Sequence, residues 1–255
     1  MTATTRDSGV TPARVLRSEA IKLAGLRSTW WLLGAAVIAP VLVTLVWAST
    51  QSGTVDTESV MATATPSSFA TVILLVLVGV LIATADAENH AMIQTFAVVP
   101  RRSVVVAAKL ALAFVIGIVI AILTTFVTFG LADLLLGGGL GVWTPDVLRA
   151  LAEIAFFETC AAVIALSAAL IVRSTIAAVG VVFGFFYIVP IIFAFVPLDA
   201  VNVIGKTIPG AGSTVFYSLT PVPGDLDPTV ALITMVLWTA AWVIAAGVVV
   251  RHRDV

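Results

Sequence analysis

Two carboxyl side chains, those of Glu153 and Glu158, stand inside an apolar run at residues 147–172. A carboxylate in a membrane-spanning helix costs roughly 2.5 to 3.5 kcal/mol on insertion scales, so such a group usually faces protein or water, and both glutamates are candidates for a translocation path. Arg149 precedes Glu153 by one helical turn, which favours a structural ion pair for Glu153. Glu158 has no cation at helical spacing, and three roles stay open for it: a protonated acid, a carboxyl bonded to hydroxyls of a neighbouring helix, or a group exposed to an aqueous path. The candidate hydroxyls are those of Thr124, Thr125 and Thr128.

Few other side chains offer catalytic or metal-binding chemistry. Cys160 is the one cysteine, and the chain has two histidines, which excludes an intramolecular disulfide framework and Cys-rich metal sites and leaves little for zinc. The stretch AVNVIGKT at residues 200–207 matches a permissive phosphate-binding loop pattern. Its Val and Ile residues, and the Ile-Pro-Gly that follows, do not suit a flexible loop of converging backbone amides. We therefore predict no metal, no cofactor and no ATP site in this chain, and expect any ATP to be handled by a partner.

The composition indicates which kind of fold holds these groups. Of the 255 residues, 60% are hydrophobic and 11% are charged, against roughly 45 to 50% and about 25% in soluble domains. This excludes a water-soluble globule. The net charge of −1 gives no indication of nucleic-acid binding.

Six apolar runs have the length that a bilayer requires, about 17 to 25 residues. They lie at residues 30–49, 69–85, 110–132, 147–172, 175–196 and 230–250, and are called spans 1 to 6. Only helices and closed barrels satisfy their backbone polar groups in hydrocarbon, and these runs are too long and too uniformly apolar for barrel strands. The sequence predicts an all-α polytopic membrane protein with six transmembrane helices.

The cations predict the orientation of the six spans. Eleven of the thirteen Lys and Arg residues fall on one side, and only Arg149 and Lys206 on the other. By the positive-inside rule both termini of this multi-pass protein are cytoplasmic. The predicted division is a cytoplasmic leader (1–29), a membrane domain (30–250) and a cytoplasmic tail (251–255), with no cleavable signal peptide. Residues 197–229 are rich in Pro and Gly and are expected to form an outer cap of turns and short helices.

Two cytoplasmic segments have patterns of their own. Residues 13–26 place apolar side chains on one arc and cations on the other, interrupted by Glu19, which favours a surface helix on the inner leaflet over a solvated leader. Residues 86–102 combine acids, a central apolar group and two arginines behind Pro100. A short helix of this kind can insert its apolar group into a groove of a soluble partner, and a plain loop is the alternative. The apolar group is Met92, Ile93 and Phe96, and the polar candidates are Asp86, Glu88 and His90.

Span 5 carries Gly180 and Gly184, a small-xxx-small step that lets another helix approach closely. The approaching helix belongs either to the same chain, which is the default, or to a second subunit.

Four segments together resemble a known family. They are LRSEAIKLAGLRSTWW, MIQTFAVVPRRSVVVAAKLA, LIVRSTIAAVGVVFGFFYIVP and WVIAAGVVVRHRDV. In this order, with six spans, they are similar to permease subunits of type 2 ABC exporters in the form common in actinobacteria. Many relatives have an acidic residue followed by Gly-Thr or Gly-Met where this chain has Ala91 and Met92, so either Asp86 or Glu88 takes the place of the family carboxylate.

The resemblance implies a dimeric subunit of the bacterial inner membrane that is driven by a separate cytoplasmic ABC ATPase. The surface helix would match residues 13–26, and the coupling helix that meets the ATPase would lie within residues 86–99. The expected partners are that ATPase, a second permease chain (the same or a homologous one) and membrane lipids, with no nucleic acid. An apolar path suits drugs, lipids, antibiotics and hydrophobic peptides equally.

Two other functions remain as alternatives from sequence. An immunity or interaction protein that transports nothing is one. An intramembrane enzyme is the other, although the spans offer it only Glu153, Glu158 and scattered hydroxyls, and the two carboxylates lie about 140° apart around the helix.

Overall fold

The computed structural model describes residues 11–51, 56–85, 102–137, 139–196, 199–220 and 223–252. Within these ranges the chain is helical and has no strands, and six helices are long and apolar enough to cross a membrane, which confirms the predicted fold class. Spans 1 to 6 are Arg27–Ala48, Thr57–Thr84, Arg102–Leu136, Pro145–Val172, Thr175–Ala194 and Pro228–His252. A further helix, Pro12–Gly25, precedes them and is called the N-terminal helix.

Span 2 begins twelve residues earlier than its predicted start at Phe69. Asp56 accepts a hydrogen bond from the backbone N–H of Ser59, whose hydroxyl accepts one from the backbone N–H of Asp56. This capping box satisfies two N–H groups at the helix start. The first turns are rich in Ser and Thr, so hydropathy alone did not reveal that they are helical.

Span 4 is the centre of the bundle and packs against spans 2, 3, 5 and 6. It is buried along almost its whole length, and seven of its twenty buried residues are alanines, which let neighbouring helices approach closely. The closest approach is to span 2, where Gly79 lies against the backbone of Ala162. Span 1 packs on spans 2 and 3 at the edge of the bundle.

Span 5 is interrupted by one π-helical turn, Gly184–Ile188. Pro190 has no N–H to donate to the carbonyl of Phe186, four residues earlier, which leaves that carbonyl without its usual partner. Gly210 of the outer cap packs directly on this carbonyl, where a Cβ atom would collide with the oxygen. The interruption is therefore the place where the cap sits on the membrane helices.

The outer cap consists of Asp199–Lys206, Pro209–Gly212 and the 3-10 turn Ser213–Tyr217. These short helices agree with the expected cap of turns and short elements. The indole N–H of Trp238 in span 6 donates to the carbonyl of Thr207 over 2.9 Å, which holds the cap to the bundle. Residues 200–206 of the AVNVIGKT stretch are helical and the Lys206 ammonium donates to the carbonyl of Gly224, an arrangement unlike a phosphate-binding loop.

Candidate functional site

Glu158 lies in the middle of the bundle and is only 1% exposed. The Ser68 hydroxyl of span 2 donates a hydrogen bond to one carboxyl oxygen, and the Thr125 hydroxyl of span 3 donates to the other over 3.3 Å. The Tyr217 hydroxyl of the outer cap lies 3.1 Å from the Ser68 oxygen. One carboxyl group thus joins three parts of the membrane domain.

A small, partly enclosed space adjoins this carboxyl. Its volume is about 10 Å³, which is room for about one water molecule. Spans 2, 3 and 4 and the cap line it with Met61, Ala64, Thr65, Ser67, Ser68, Thr71, Thr125, Thr128, Leu151, Ile154, Glu158 and Tyr217. We call it the Glu158 cavity.

A chain of aromatic rings extends from Tyr217 of the Glu158 cavity to span 5. Phe69, half-exposed, has its ring centroid 6.4 Å from those of Tyr217 and Tyr187. Phe183 stacks on Tyr187 at 5.7 Å. Burial raises the pKa of the Tyr217 hydroxyl, so this group stays protonated beside the cavity.

Glu153 belongs to a different site from Glu158. It lines an apolar groove of about 610 Å³ between spans 4 and 6, with Arg149 at the same end. The two residues do not form an ion pair within 4 Å, since the ion pairs among the described residues are those of Glu19. Glu153 and Glu158, the two candidate path residues, thus line separate cavities.

A buried ion pair that sequence reasoning missed joins the N-terminal helix to span 3. The Lys109 ammonium lies 3.0 Å from Glu19 and donates to the carbonyl of Ile82 in span 2 over 2.8 Å. Lys22 contacts the other Glu19 oxygen at 2.6 Å. The available signal was that Glu19 shares the helix face of two apolar residues, Val15 and Leu23, which are also buried.

Gly180 and Gly184 have open space beside them within the described part of the chain, because a Cβ atom at either position would meet nothing within 4 Å. The default expectation of packing inside the chain is thus not what the structure shows at these two positions. A helix that packs here would have to come from outside the described residues.

The candidate coupling residues Asp86, Glu88, His90, Met92, Ile93 and Phe96 lie outside the described residues. Their proposed role stays a prediction from the sequence. On either side of them, Ile82 lies near the end of span 2 and Lys109 lies about two turns after the start of span 3, where Lys109 pairs with Glu19.

One comparison with known proteins gives a match. A family model described as "ABC-2 family transporter protein" matches residues 15–220, from the N-terminal helix through the outer cap. A search among curated proteins finds no match to the chain.

Proposed function

The chain belongs to the ABC-2 transporter family, and from this premise we propose that it is the permease subunit of an ATP-driven exporter. A separate cytoplasmic ATPase binds and hydrolyses the ATP, and the permease itself catalyses no reaction. Family membership over most of the chain is the observation that carries this proposal. The six apolar helices support it because they supply a membrane domain of the required kind.

We propose that the ATPase acts on residues 86–99, which connect spans 2 and 3. The contact between Lys109 and the carbonyl of Ile82 ties the adjoining ends of these spans together. Farther along, the same two spans hold Glu158 through Ser68 and Thr125. A push on this connection would therefore move spans 2 and 3, which both line the Glu158 cavity. These helices would then be the element with two arrangements whose equilibrium the ATPase has to bias.

Replacing Met92, Ile93 and Phe96 by Asp tests this proposal. The charged variant is expected to bind the ATPase more weakly, because it has no apolar group to enter the groove of the partner. The amount of co-purified ATPase should fall at least tenfold. The measurement is affinity purification of the full-length permease co-expressed with the ABC ATPase that pairs with it, with membrane fractionation to verify insertion.

Asp at two exposed positions of the outer cap, Thr214 and Thr220, provides the matched control and is expected to leave co-purification unchanged. Normal recovery of the ATPase with the Met92, Ile93 and Phe96 variant would contradict the proposed coupling segment.

We propose that both termini are cytoplasmic. The described cations support this orientation, since Arg14, Arg17, Lys22 and Lys109 lie at the end of the bundle that carries the N-terminal helix. The N-terminal helix would then lie at the inner leaflet, and the outer cap would face the outside.

We propose further that two permease chains pair through span 5. The open space beside Gly180 and Gly184 supports this, because small residues with no partner in the described chain permit close approach of another helix. Replacing both glycines by Ile is expected to weaken self-association about tenfold, or about 1.4 kcal/mol. Light scattering of the protein in detergent measures the dimer fraction.

Gly34→Ile is the matched control, since Gly34 of span 1 also has open space beside it. A dimer fraction that stays unchanged in the Gly180 and Gly184 variant, with Gly34→Ile equal to the unaltered chain, would place the subunit contact elsewhere.

The substrate class is proposed only as apolar or amphipathic, which includes drugs, lipids, antibiotics and hydrophobic peptides. The groove between spans 4 and 6 supports this, because its lining is apolar apart from Arg149 and Glu153 at one end.

A further inference from the structure

We infer that the Glu158 cavity binds one monovalent cation of the size of Na⁺, with the Glu158 carboxylate as its counter-charge. The inference stands on the contacts of Glu158 and does not rest on the proposed function.

The first support is the charge of Glu158. The lining of the cavity contains no Lys, Arg or His. Without a positive charge beside it a buried carboxyl holds a proton, and its ionised form is stable only when it is paired or coordinates a cation. One carboxylate is balanced by one positive charge. Sites for divalent cations usually contain several carboxylates, which this lining does not have.

The second support is the direction of the hydroxyl protons. Ser68 and Thr125 donate to the Glu158 carboxylate. Since the one proton of Ser68 is used in this way, the Tyr217 hydroxyl is the donor in its contact with Ser68. The remaining hydroxyls of the lining donate to carbonyls of their own helices, Thr65 to Met61, Ser67 to Ala64, Thr71 to Ser67 and Thr128 to Thr125.

All the hydroxyl protons of the lining are therefore committed, so its polar groups can offer the cavity only oxygen lone pairs, and the rest of the lining is apolar. A water molecule there would donate two protons but accept none, whereas a cation needs acceptors alone. Hard cations take oxygen ligands, and cation sites inside membrane transporters use oxygen ligands near the bilayer midplane. The volume of about 10 Å³ limits the occupant to one particle of the size of a water molecule.

Binding of ²²Na⁺ to the purified full-length chain in lipid nanodiscs tests the inference. N-methyl-D-glucamine chloride keeps the ionic strength constant. We expect saturable binding of about one Na⁺ per chain at pH 8, and a Tm that rises with Na⁺ concentration, because a ligand that binds the folded state stabilises it. Glu158→Gln, which keeps the shape and removes the charge, is expected to weaken Na⁺ binding at least tenfold.

Asp146→Asn removes an exposed carboxylate at the start of the same helix and is expected to leave Na⁺ binding unchanged. Equal binding by Glu158→Gln and the unaltered chain would overturn the inference. So would the absence of saturable binding to the unaltered chain at pH 8, which would mean that Glu158 carries a covalent proton instead.

A pH series tests the inference on the unaltered chain, so its outcome does not depend on whether a variant folds. Protons and Na⁺ compete for one carboxylate, so Na⁺ affinity should fall by up to about tenfold per pH unit once the carboxyl binds protons. The titratable side chains beside Glu158 are those of Tyr217, which contacts Ser68, and Tyr187, which lies next to Tyr217. Both are neutral when protonated, so of these three groups only Glu158 changes its charge below neutral pH. Na⁺ binding that does not change between pH 8 and pH 5 would contradict Glu158 as the ligand.

Discussion

Glu19→Gln is expected to lower the free energy of unfolding by about 3 to 5 kcal/mol, the usual effect of breaking a buried ion pair by removing one partner. The carboxylate of Glu19 is 3% exposed and lies 3.0 Å from the Lys109 ammonium, which is itself buried. The Gln variant keeps the shape of the side chain but leaves the charge of Lys109 without this carboxylate in a site of low dielectric. Thermal and denaturant unfolding of the chain in detergent measures the loss.

The same variant should also release the N-terminal helix from span 3. Limited trypsin digestion is expected to cleave after Arg14, Arg17 or Lys22 faster than in the unaltered chain, because Glu19 is the polar anchor of that helix. Glu58→Gln, an exposed carboxylate at the start of span 2, is the matched control and should change stability by at most about 0.5 kcal/mol.

Replacing both Glu19 and Lys109 by apolar residues distinguishes the effect of losing the ion pair from the effect of losing side-chain packing. Glu19→Leu combined with Lys109→Met removes both buried charges and should recover part of the stability, because apolar replacements of a buried ion pair are often neutral. Recovery is expected to be partial, since Lys109 also caps the carbonyl of Ile82 near the end of span 2. Stability of Glu19→Gln within 0.5 kcal/mol of the unaltered chain would show that this pair does not hold the helix.

Gly79→Ala is expected to destabilise the bundle by about 3 kcal/mol, the upper end of the range for overpacked cores. The added Cβ would collide with the carbonyl oxygen of Ala162 and approach within 3.1 Å of the Leu166 nitrogen. Both atoms belong to the backbone of span 4, so no side chain can rotate to make room, and spans 2 and 4 would have to separate. Thermal unfolding in detergent is the measurement.

Gly34→Ala is its matched control, because the space beside Gly34 is open and alanine favours a helix by up to about 1 kcal/mol. If both variants unfold at the same temperature, spans 2 and 4 are not in the close contact described.

The sequence predicts the six spans well because hydrocarbon thickness sets their length and their apolar residues mark them. It does not reveal the first turns of span 2, which are polar and begin at a capping box. Glu158 stood out because it lacks a local partner, and Thr125 was one of three candidate hydroxyls named for it. Ser68 lies 90 positions from Glu158 along the chain, and Tyr217 lies 149 positions from Ser68. Neither residue could be identified from the sequence, because an isolated hydroxyl residue gives no periodic signal.

The missed ion pair shows a second limit. An acid on the apolar arc of a short helix interrupts the pattern, and from sequence it indicates only a weaker amphipathic helix. Its partner Lys109 was counted as one more cytoplasmic cation. Periodicity shows where a residue lies on its own helix. Whether a charge there is paired depends on the neighbouring helix, which periodicity does not show.

The central place of span 4 also determines the order in which the membrane domain can assemble during synthesis. Spans 2 and 3 leave the ribosome before Glu158, so Ser68 and Thr125 are already present when this carboxyl enters the bilayer. Tyr217 is made later, and the cavity closes only when the cap settles on span 5. The nascent chain therefore provides two hydroxyl donors before Glu158 is made. A carboxyl that would be costly to expose to lipid has hydrogen-bond donors available when it enters the membrane.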